Sequence, residues 1–381
     1  RQQRLRESEA LNPTKPDSER IAAGSAALES MQAAPEDLDV QLEGCKQLRG
    51  AMFTGDWLTT GYVNQEHFVS MGAYEPVLKA MANFPQSSLL QFACSLALQS
   101  MVQMNAGTAK IVGSKGAIEA MITFMRNFQD SPELMGDLFG YIGGFCDFDF
   151  DNRRKVEQLG GIDLAFNITR KHYFPQTVLG LQCLASTQCW PAENHARMKR
   201  NGYVSWTPQQ MRDFPDVGGI RGEGIYVVGY CFGGEADSDA SMVENGMIEE
   251  IVSSLRDVPH VQLDVLETTD RVYFYGMGLL ATLGHESPQY RDRAVRAGAV
   301  EQVAAAMLDH VRNKAEANGA MKIFQLDGLD VLQRGCDALR AFTDSPDGSV
   351  RLAAVQGELH ATLLSPSARV AAPQVCRTLL A

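Results

Sequence analysis

The chain contains 381 residues, of which 45% are hydrophobic and 21% are charged, and this composition excludes wholesale disorder. No apolar run reaches the roughly 18 residues that a membrane-spanning helix needs. The formal net charge of −12 argues against a broad surface for nucleic acid or anionic lipid. We therefore predict a folded, acidic chain with no transmembrane segment and no nucleic-acid partner.

The eight cysteines are too sparse for a disulfide scaffold, and no two of them form a CxxC pair. We interpret those that lie far apart in apolar stretches as small, separate buried thiols: Cys45, Cys94, Cys146, Cys183, Cys231 and Cys336. Together with the lack of a secretory signal pattern, this predicts a cytoplasmic location. Because the chain begins with Arg1 and not with Met, an organellar location stays open if a targeting segment is missing.

The N-terminal residues 1–35 carry three prolines among polar residues, which predicts an extended arm with one helix at 18–33. From residue 36 to residue 381 the sequence repeats itself. A Gly followed by a small or apolar residue returns at intervals of 41 to 52 residues. The six clear instances are Gly72, Gly116, Gly161, Gly202, Gly246 and Gly298, and a weaker seventh is Gly357.

Each repeat unit has the same order of elements. A short amphipathic stretch leads to the Gly, and apolar residues at i, i+3, i+4 and i+7 follow it, as in Ile118, Met121, Ile122 and Met125. A proline then marks a turn, and a third apolar segment closes the unit. These third segments are 89–104, 134–146, 177–189, 222–234 and 271–284. The order predicts three helices per unit, although apolar runs at 134–150 and 222–234 leave strands of an α/β domain open.

Residues 67–81 (HFVSMGAYEPVLKAM) and 110–122 (KIVGSKGAIEAMI) resemble armadillo repeats, and the resemblance covers roughly 36–372. It implies an all-α, right-handed α-solenoid of about six to seven armadillo-like three-helix repeats. In that family a ladder of Asn on the third helices clamps extended peptides. Here those slots hold Ser100, Phe145, Phe232 and Thr282, so extended-peptide recognition is not carried over.

An insert at about 313–328 lengthens the sixth unit between its second and third helices. Insertions into solenoids often lie on one face and contact partners, which makes this segment a candidate. Ordinary loop variation is the alternative.

Three local patterns resemble sites of chemistry but lack required residues. The segment around Gly276 and Gly278 mimics a dinucleotide-binding turn, without the acidic residue about 20 positions later. Acidic residues alternate as in a calcium loop at 147–151 and again at 235–239, without the Gly and Glu that complete it. We interpret both acidic loops as solvated helix starts and predict no catalytic residues, cofactor or metal.

Two sets of residues are candidates for partner binding. Basic residues gather on predicted first helices, and we predict an acidic partner for Arg154, Arg197, Arg200 and Arg293, with a solvated helix face as the alternative. Aromatic residues of third helices predict an apolar groove: Phe145, Tyr230, Phe232 and Phe274. The function predicted from the sequence is a non-catalytic protein–protein interaction scaffold, a structural or adaptor subunit of a multi-subunit complex. A reversible peptide-binding signalling or transport adaptor is the first alternative, and an enzyme is the second.

Overall fold

The computed structural model describes residues 18–52, 60–147, 149–257, 266–316, 328–363 and 373–380, and these residues contain helices and no strand. They fall into two compact units, which divide between Asn201 and Gly202. Among the helices of these ranges, none combines the length and the apolar character needed to cross a bilayer.

The first unit begins with two helices that come before the first complete three-helix repeat. These helices are Ser18–Ala33 and Leu38–Met52. Three repeats of three helices follow, and the first helix of a fourth ends the unit. The helices of these repeats are Thr60–Ser70, Tyr74–Asn83, Ser88–Val102, Ala106–Ser114, Ala117–Asn127, Pro132–Cys146, Phe150–Gln158, Gly161–Lys171, Pro175–Thr187 and Ala192–Arg200.

The second unit starts with the second helix of a repeat and continues in the same order. Its helices are Tyr203–Asp213, Gly218–Val227, Ala236–Glu244, Met247–Asp257, Leu266–Glu286, Pro288–Arg296, Ala299–Glu316, Gly328–Phe342, Pro346–Leu363 and Gln374–Leu380. A short π-helix, Val228–Phe232, extends the first of its third helices. Of the predicted insert at 313–328, residues 317–327 lie outside the described residues.

The glycine of each repeat lies between the first and the second helix in a left-handed conformation. The backbone φ is positive at Gly72, Gly116, Gly202, Gly246 and Gly298, as the sequence predicts. In the third repeat the residue with positive φ is Gly160, one position before the predicted one. The predicted seventh turn is wrong, because Gly357 lies inside the helix Pro346–Leu363.

A buried glutamine joins the second and third helices of successive repeats in the same way. The Gln91 side-chain amide donates to the carbonyl oxygens of Met81 (2.7 Å) and Phe84 (3.1 Å). The Gln41 amide donates likewise to Met31 and to Ala34, at 2.8 and 2.9 Å. The predicted helix at 18–33 is confirmed, and it takes the place of a second helix packed on the helix that follows. The rest of the predicted arm, residues 1–17, lies outside the described residues.

The third helices of the first unit approach each other closely because they contain glycine. A Cβ atom placed on Gly136 would overlap the backbone carbonyl oxygen of Gln176, and one on Gly180 would overlap that of Gly136. The helices Pro132–Cys146 and Pro175–Thr187 thus touch backbone to backbone. Both segments with an open strand alternative are helical, since 134–146 and 222–232 lie within helices.

The interpretation of the cysteines as separate thiols is wrong for four of the six, because Cys45, Cys94, Cys231 and Cys336 are each disulfide-bonded. Disulfides join Cys45 to Cys94 and Cys336 to Cys376, with Cα–Cα distances of 5.1 and 5.3 Å. Cys45 and Cys94 lie on consecutive third helices, so the repeat itself brings them together across 49 residues of sequence. Cys146 is a buried thiol, and burial raises its pKa to about 12.

Candidate protein-binding surface

Two of the predicted basic residues make ion pairs between neighbouring repeats. Arg197 binds the carboxylates of Glu157 (2.8 Å) and Asp163 (3.0 Å). Arg293 binds both carboxylate oxygens of Glu249, at 2.6 and 3.0 Å, and donates to the carbonyl oxygen of Val243. These guanidinium groups are already paired with acids of the same unit.

The same pairing recurs along the chain in a fixed register. In each case a cation on a first helix meets the acid three residues after the turn glycine of the preceding repeat. The pairs are Lys155 with Glu119 (3.0 Å), Arg197 with Asp163, Arg293 with Glu249, and Arg351 with Glu301 (2.9 Å). We call this set the inter-repeat ladder, and it gives Lys155, Arg197 and Arg293 a structural role on their first helices.

The other two predicted basic residues lie on the surface. Arg154 pairs with Asp151, one helical turn away, at 3.2 Å, and both side chains are mostly exposed. Arg200 is exposed at the end of the helix Ala192–Arg200. These two, unlike the ladder residues, present their charge to solvent.

Two of the four predicted aromatic residues are in the core and not in a groove. Phe145 and Phe232 are both fully buried. Phe232 stacks on Tyr203, with ring centroids 6.1 Å apart, on the helix that packs beneath it. Their expected place on a binding surface is corrected, because their helix faces point into the units.

The other two predicted aromatic residues belong to a surface cluster of the second unit. Tyr230 is 59% exposed, and Phe274 is half-buried. Tyr226 and Tyr275 complete the set. Tyr226 lies on the helix Gly218–Val227 and Tyr230 on the π-helix that extends it, while Phe274 and Tyr275 lie on Leu266–Glu286. We call Tyr226, Tyr230, Phe274 and Tyr275 the aromatic cluster.

The rings of the aromatic cluster hold each other in place. Tyr226 and Tyr230 are stacked with centroids 5.6 Å apart, and Tyr275 lies 4.7 Å from Tyr226 and 6.4 Å from Tyr230. Phe274 meets Tyr275 edge to face at 4.9 Å. Such offset and edge-to-face contacts contribute about 0.5–1.5 kcal/mol per pair beyond area burial. The exposed Tyr230 ring is thus ordered by its neighbours.

Two arginines lie over faces of these rings. The guanidinium carbon of Arg271 is 5.3 Å from the Tyr226 centroid, and Arg271 also forms an ion pair with Glu223. The guanidinium carbon of Arg334, from the next third helix, is 5.0 Å from the Phe274 centroid. Arg334 packs beside Gly278, where a Cβ would lie 3.4 Å from the Arg334 Cδ atom, an ordinary van der Waals contact. Arg334 is exposed and makes no ion pair within the described part of the chain.

Two tyrosines of the cluster, Tyr226 and Tyr275, hold their hydroxyl protons more firmly than a free tyrosine does. Burial, followed by the neighbouring Tyr275, raises the pKa of Tyr226 to about 12. Burial likewise raises the pKa of Tyr275 above its ordinary value. In the described residues, the hydroxyls of Tyr226, Tyr230 and Tyr275 make no hydrogen bond. They are therefore available as donors to a bound molecule.

Comparison with known proteins identifies the fold of the chain through similar solved structures. No family model and no curated protein matches the sequence. Among solved structures, an engineered protein matches with a TM-score of 0.55 at 11% identity, over 93% of this chain and 86% of that one. A designed armadillo repeat protein in complex with the peptide (KR)4 matches with a TM-score of 0.50 at 14% identity, over 70% of this chain and 98% of that one.

The chain has an armadillo-type α-solenoid fold. The predicted fold class and the predicted resemblance to armadillo repeats are both confirmed.

Within this solenoid, the sequence predicted Tyr230 and Phe274 as surface residues and missed Tyr226, Tyr275 and Arg334. Tyr226 and Tyr230 are four residues apart, which is a signal for one helix face. Tyr230 lies within the π-helix Val228–Phe232 with its ring exposed, and π-helical turns are frequent at functional sites. The contact of Tyr275 and Arg334 with this face follows only from the packing of successive repeats.

The acidic loops were predicted to be solvated, and this is wrong for one carboxylate of each loop, Asp149 and Asp239, whereas Asp147, Asp151 and Asp237 are exposed. Asp149 is mostly buried, and its carboxylate accepts a hydrogen bond from the backbone N–H of Asn152 at 2.8 Å. This bond caps the first helix of the next repeat. Asp239 is fully buried and accepts from the Gly234 amide at 3.1 Å. Burial and the nearby Glu286 raise the pKa of Asp239 to about 7. Within the described ranges, no group of three or more His, Cys, Asp or Glu is arranged to hold a metal.

Proposed function

We propose that the chain is a non-catalytic protein-binding scaffold that serves as a structural or adaptor subunit of a larger assembly. Armadillo-type repeats present a series of helices along which another chain can lie, and this supports a binding role. The observation that carries the proposal is the aromatic cluster, with Tyr230 exposed and ordered on the surface of third helices.

The chemistry of the cluster is that of an interface hot spot. Tyrosine and arginine are enriched at binding interfaces, because they bury much area with few rotatable bonds and still offer hydrogen bonds. Here the rings are already fixed against each other and against Arg271 and Arg334. Binding therefore requires little additional loss of side-chain entropy on this side of the interface.

Co-fractionation of the tagged chain in its native cells tests the proposal. Wild type, Tyr230→Ala and the control Phe150→Ala are separated by size exclusion, and co-eluting proteins are identified by mass spectrometry. Phe150 is a matched control because it is also aromatic, 54% exposed and outside the cluster. We expect fixed-ratio partners that are lost in Tyr230→Ala and kept in Phe150→Ala. Identical partner sets in all three would contradict the use of this surface.

A reversible peptide-binding adaptor is the second candidate. The designed armadillo repeat protein that the chain is similar to was determined in complex with a peptide, which favours this class. Dilution separates the two candidates: an assembly subunit keeps its partners at fixed stoichiometry, whereas an adaptor with micromolar affinity releases them.

A further inference from the structure

We propose that the aromatic cluster, together with Arg271 and Arg334, binds a proline-rich segment of a partner in the polyproline II conformation, with an acidic residue beside the prolines. This inference rests on the proposed binding function and names the chemistry of the partner.

Hydrogen-bond complementarity is the first argument. The surface offers the hydroxyls of Tyr226, Tyr230 and Tyr275 and the N–H groups of Arg334, while the nearby carboxylate of Glu223 is paired with Arg271. It is thus rich in donors and poor in free acceptors. A proline-rich chain has the opposite character, because proline has no N–H and polyproline II leaves every carbonyl oxygen without an internal partner.

Shape and entropy are the second argument. Proline rings are rigid and flat, and they pack on aromatic faces with little loss of freedom because their φ is already fixed. Aromatic-lined surfaces recognise proline-rich segments in other proteins by this principle. In this chain, rings from two consecutive third helices form one continuous aromatic layer, with neighbouring centroids 4.7 to 6.4 Å apart.

Charge is the third argument. A basic peptide would use the ring faces for cation–π contacts and would need acidic side chains nearby. The Tyr226 and Phe274 faces are already occupied by Arg271 and Arg334. A stacked guanidinium keeps its N–H edge free for a carboxylate, and Arg334 has no acidic partner in the described part of the chain. An acidic residue beside the prolines meets this need.

Fluorescence anisotropy with the 381-residue chain and labelled peptides, at about 150 mM salt, tests the proposal. The four probes are a proline-rich peptide with one Asp, the same peptide with Gly at each Pro, the proline-rich peptide with Ala at the Asp, and (KR)4. We expect the first to bind at least tenfold more tightly than the Gly peptide and than (KR)4. Loss of the Asp should weaken binding by about three- to tenfold.

Three variants locate the binding site. Tyr230→Ala should abolish tight binding, and Tyr230→Phe, which keeps the ring and loses the hydroxyl, should weaken it by about three- to tenfold. Phe150→Ala should bind as wild type. Circular dichroism confirms that each variant is folded. A proline-rich peptide that binds no better than its Gly counterpart, or binding unaffected by Tyr230→Ala, overturns the proposal.

The outcomes distinguish this inference from the proposed function. If proline-rich peptides fail but cellular partners depend on Tyr230, the scaffold function stands and the partner chemistry is wrong. Concentration-dependent self-association that is lost in Tyr230→Ala would show a second copy of the chain on this surface, which overturns the proline-rich partner. If neither partners nor peptides depend on Tyr230, both proposals fail.

Discussion

The stability of the second unit should depend on pH through Asp239, and Asp239→Asn should remove that dependence. Asp239 is fully buried, and its pKa is raised from 3.8 to about 7, first by burial and then by Glu286. In the unfolded chain the carboxyl ionises near 3.8, while in the folded chain it keeps its proton. The free energy of unfolding therefore has its full value below pH 3.8 and falls as the pH rises to about 7.

The size of the effect follows from the pKa difference. From 3.8 to about 7 is roughly three pH units, each worth about 1.4 kcal/mol, so Asp239 lowers the free energy of unfolding by up to about 4 kcal/mol. An asparagine keeps an oxygen for the Gly234 amide and adds a donor towards Glu286. We expect Asp239→Asn to match wild type near pH 4 and to exceed it increasingly up to about pH 7.

Urea denaturation followed by circular dichroism, from about pH 2 to pH 8, measures the difference between variant and wild type. Asp257→Asn is a control of opposite sign, because Arg256 first, then Ser253 and Arg221, hold the pKa of Asp257 at about 2. That variant should be less stable than wild type above pH 4 and should converge with it as the pH falls. A constant offset between Asp239→Asn and wild type at every pH would refute the reasoning.

Three further predictions test the packing. Gly136→Ala should lower the free energy of unfolding by about 1–3 kcal/mol, because its Cβ overlaps the Gln176 carbonyl oxygen. Gly140→Ala, with open space around it, should be neutral or stabilising, and the urea midpoints of the two variants measure the difference. Arg293→Gln should cost roughly 0.5–1 kcal/mol at low salt and less at high salt, and an equal cost at both would exclude an electrostatic origin. Peptide mapping without reductant should recover Cys45 linked to Cys94, and reduction should lower the free energy of unfolding by about 2–4 kcal/mol; free thiols in protein from native cells would contradict this pair.

The repeat was predictable because it depends on local chemistry. A turn with positive φ strongly favours glycine, so Gly72, Gly116 and Gly246 mark their turns in the sequence itself. Where two glycines adjoin, at 160 and 161, composition does not tell which one adopts the left-handed conformation, and the prediction was one residue off.

The surface was less predictable because it depends on contacts between repeats. A helix position that is wrong by one residue turns the side chain by about 100°, which moved Phe145 and Phe232 from an expected groove into the core. The meeting of Tyr226 with Tyr275, and of Cys45 with Cys94, joins residues 49 positions apart. No local pattern specifies such pairs; they follow from how one repeat is set on the next.

The inter-repeat ladder places the same kind of ion pair at equivalent positions of successive repeats. Each link uses a cation of one repeat and the acid of the repeat before it, at equivalent positions, as in Lys155 with Glu119 and Arg197 with Asp163. Excision of residues 116–159 would join the helix Ala106–Ser114 to Gly161–Lys171 through Gly160, and would keep the Arg197–Asp163 link. Such an excision removes both members of the Lys155–Glu119 pair together, so no residue of the ladder loses its ladder partner, whereas Arg197 loses its other acid, Glu157, and Lys171 loses Asp130.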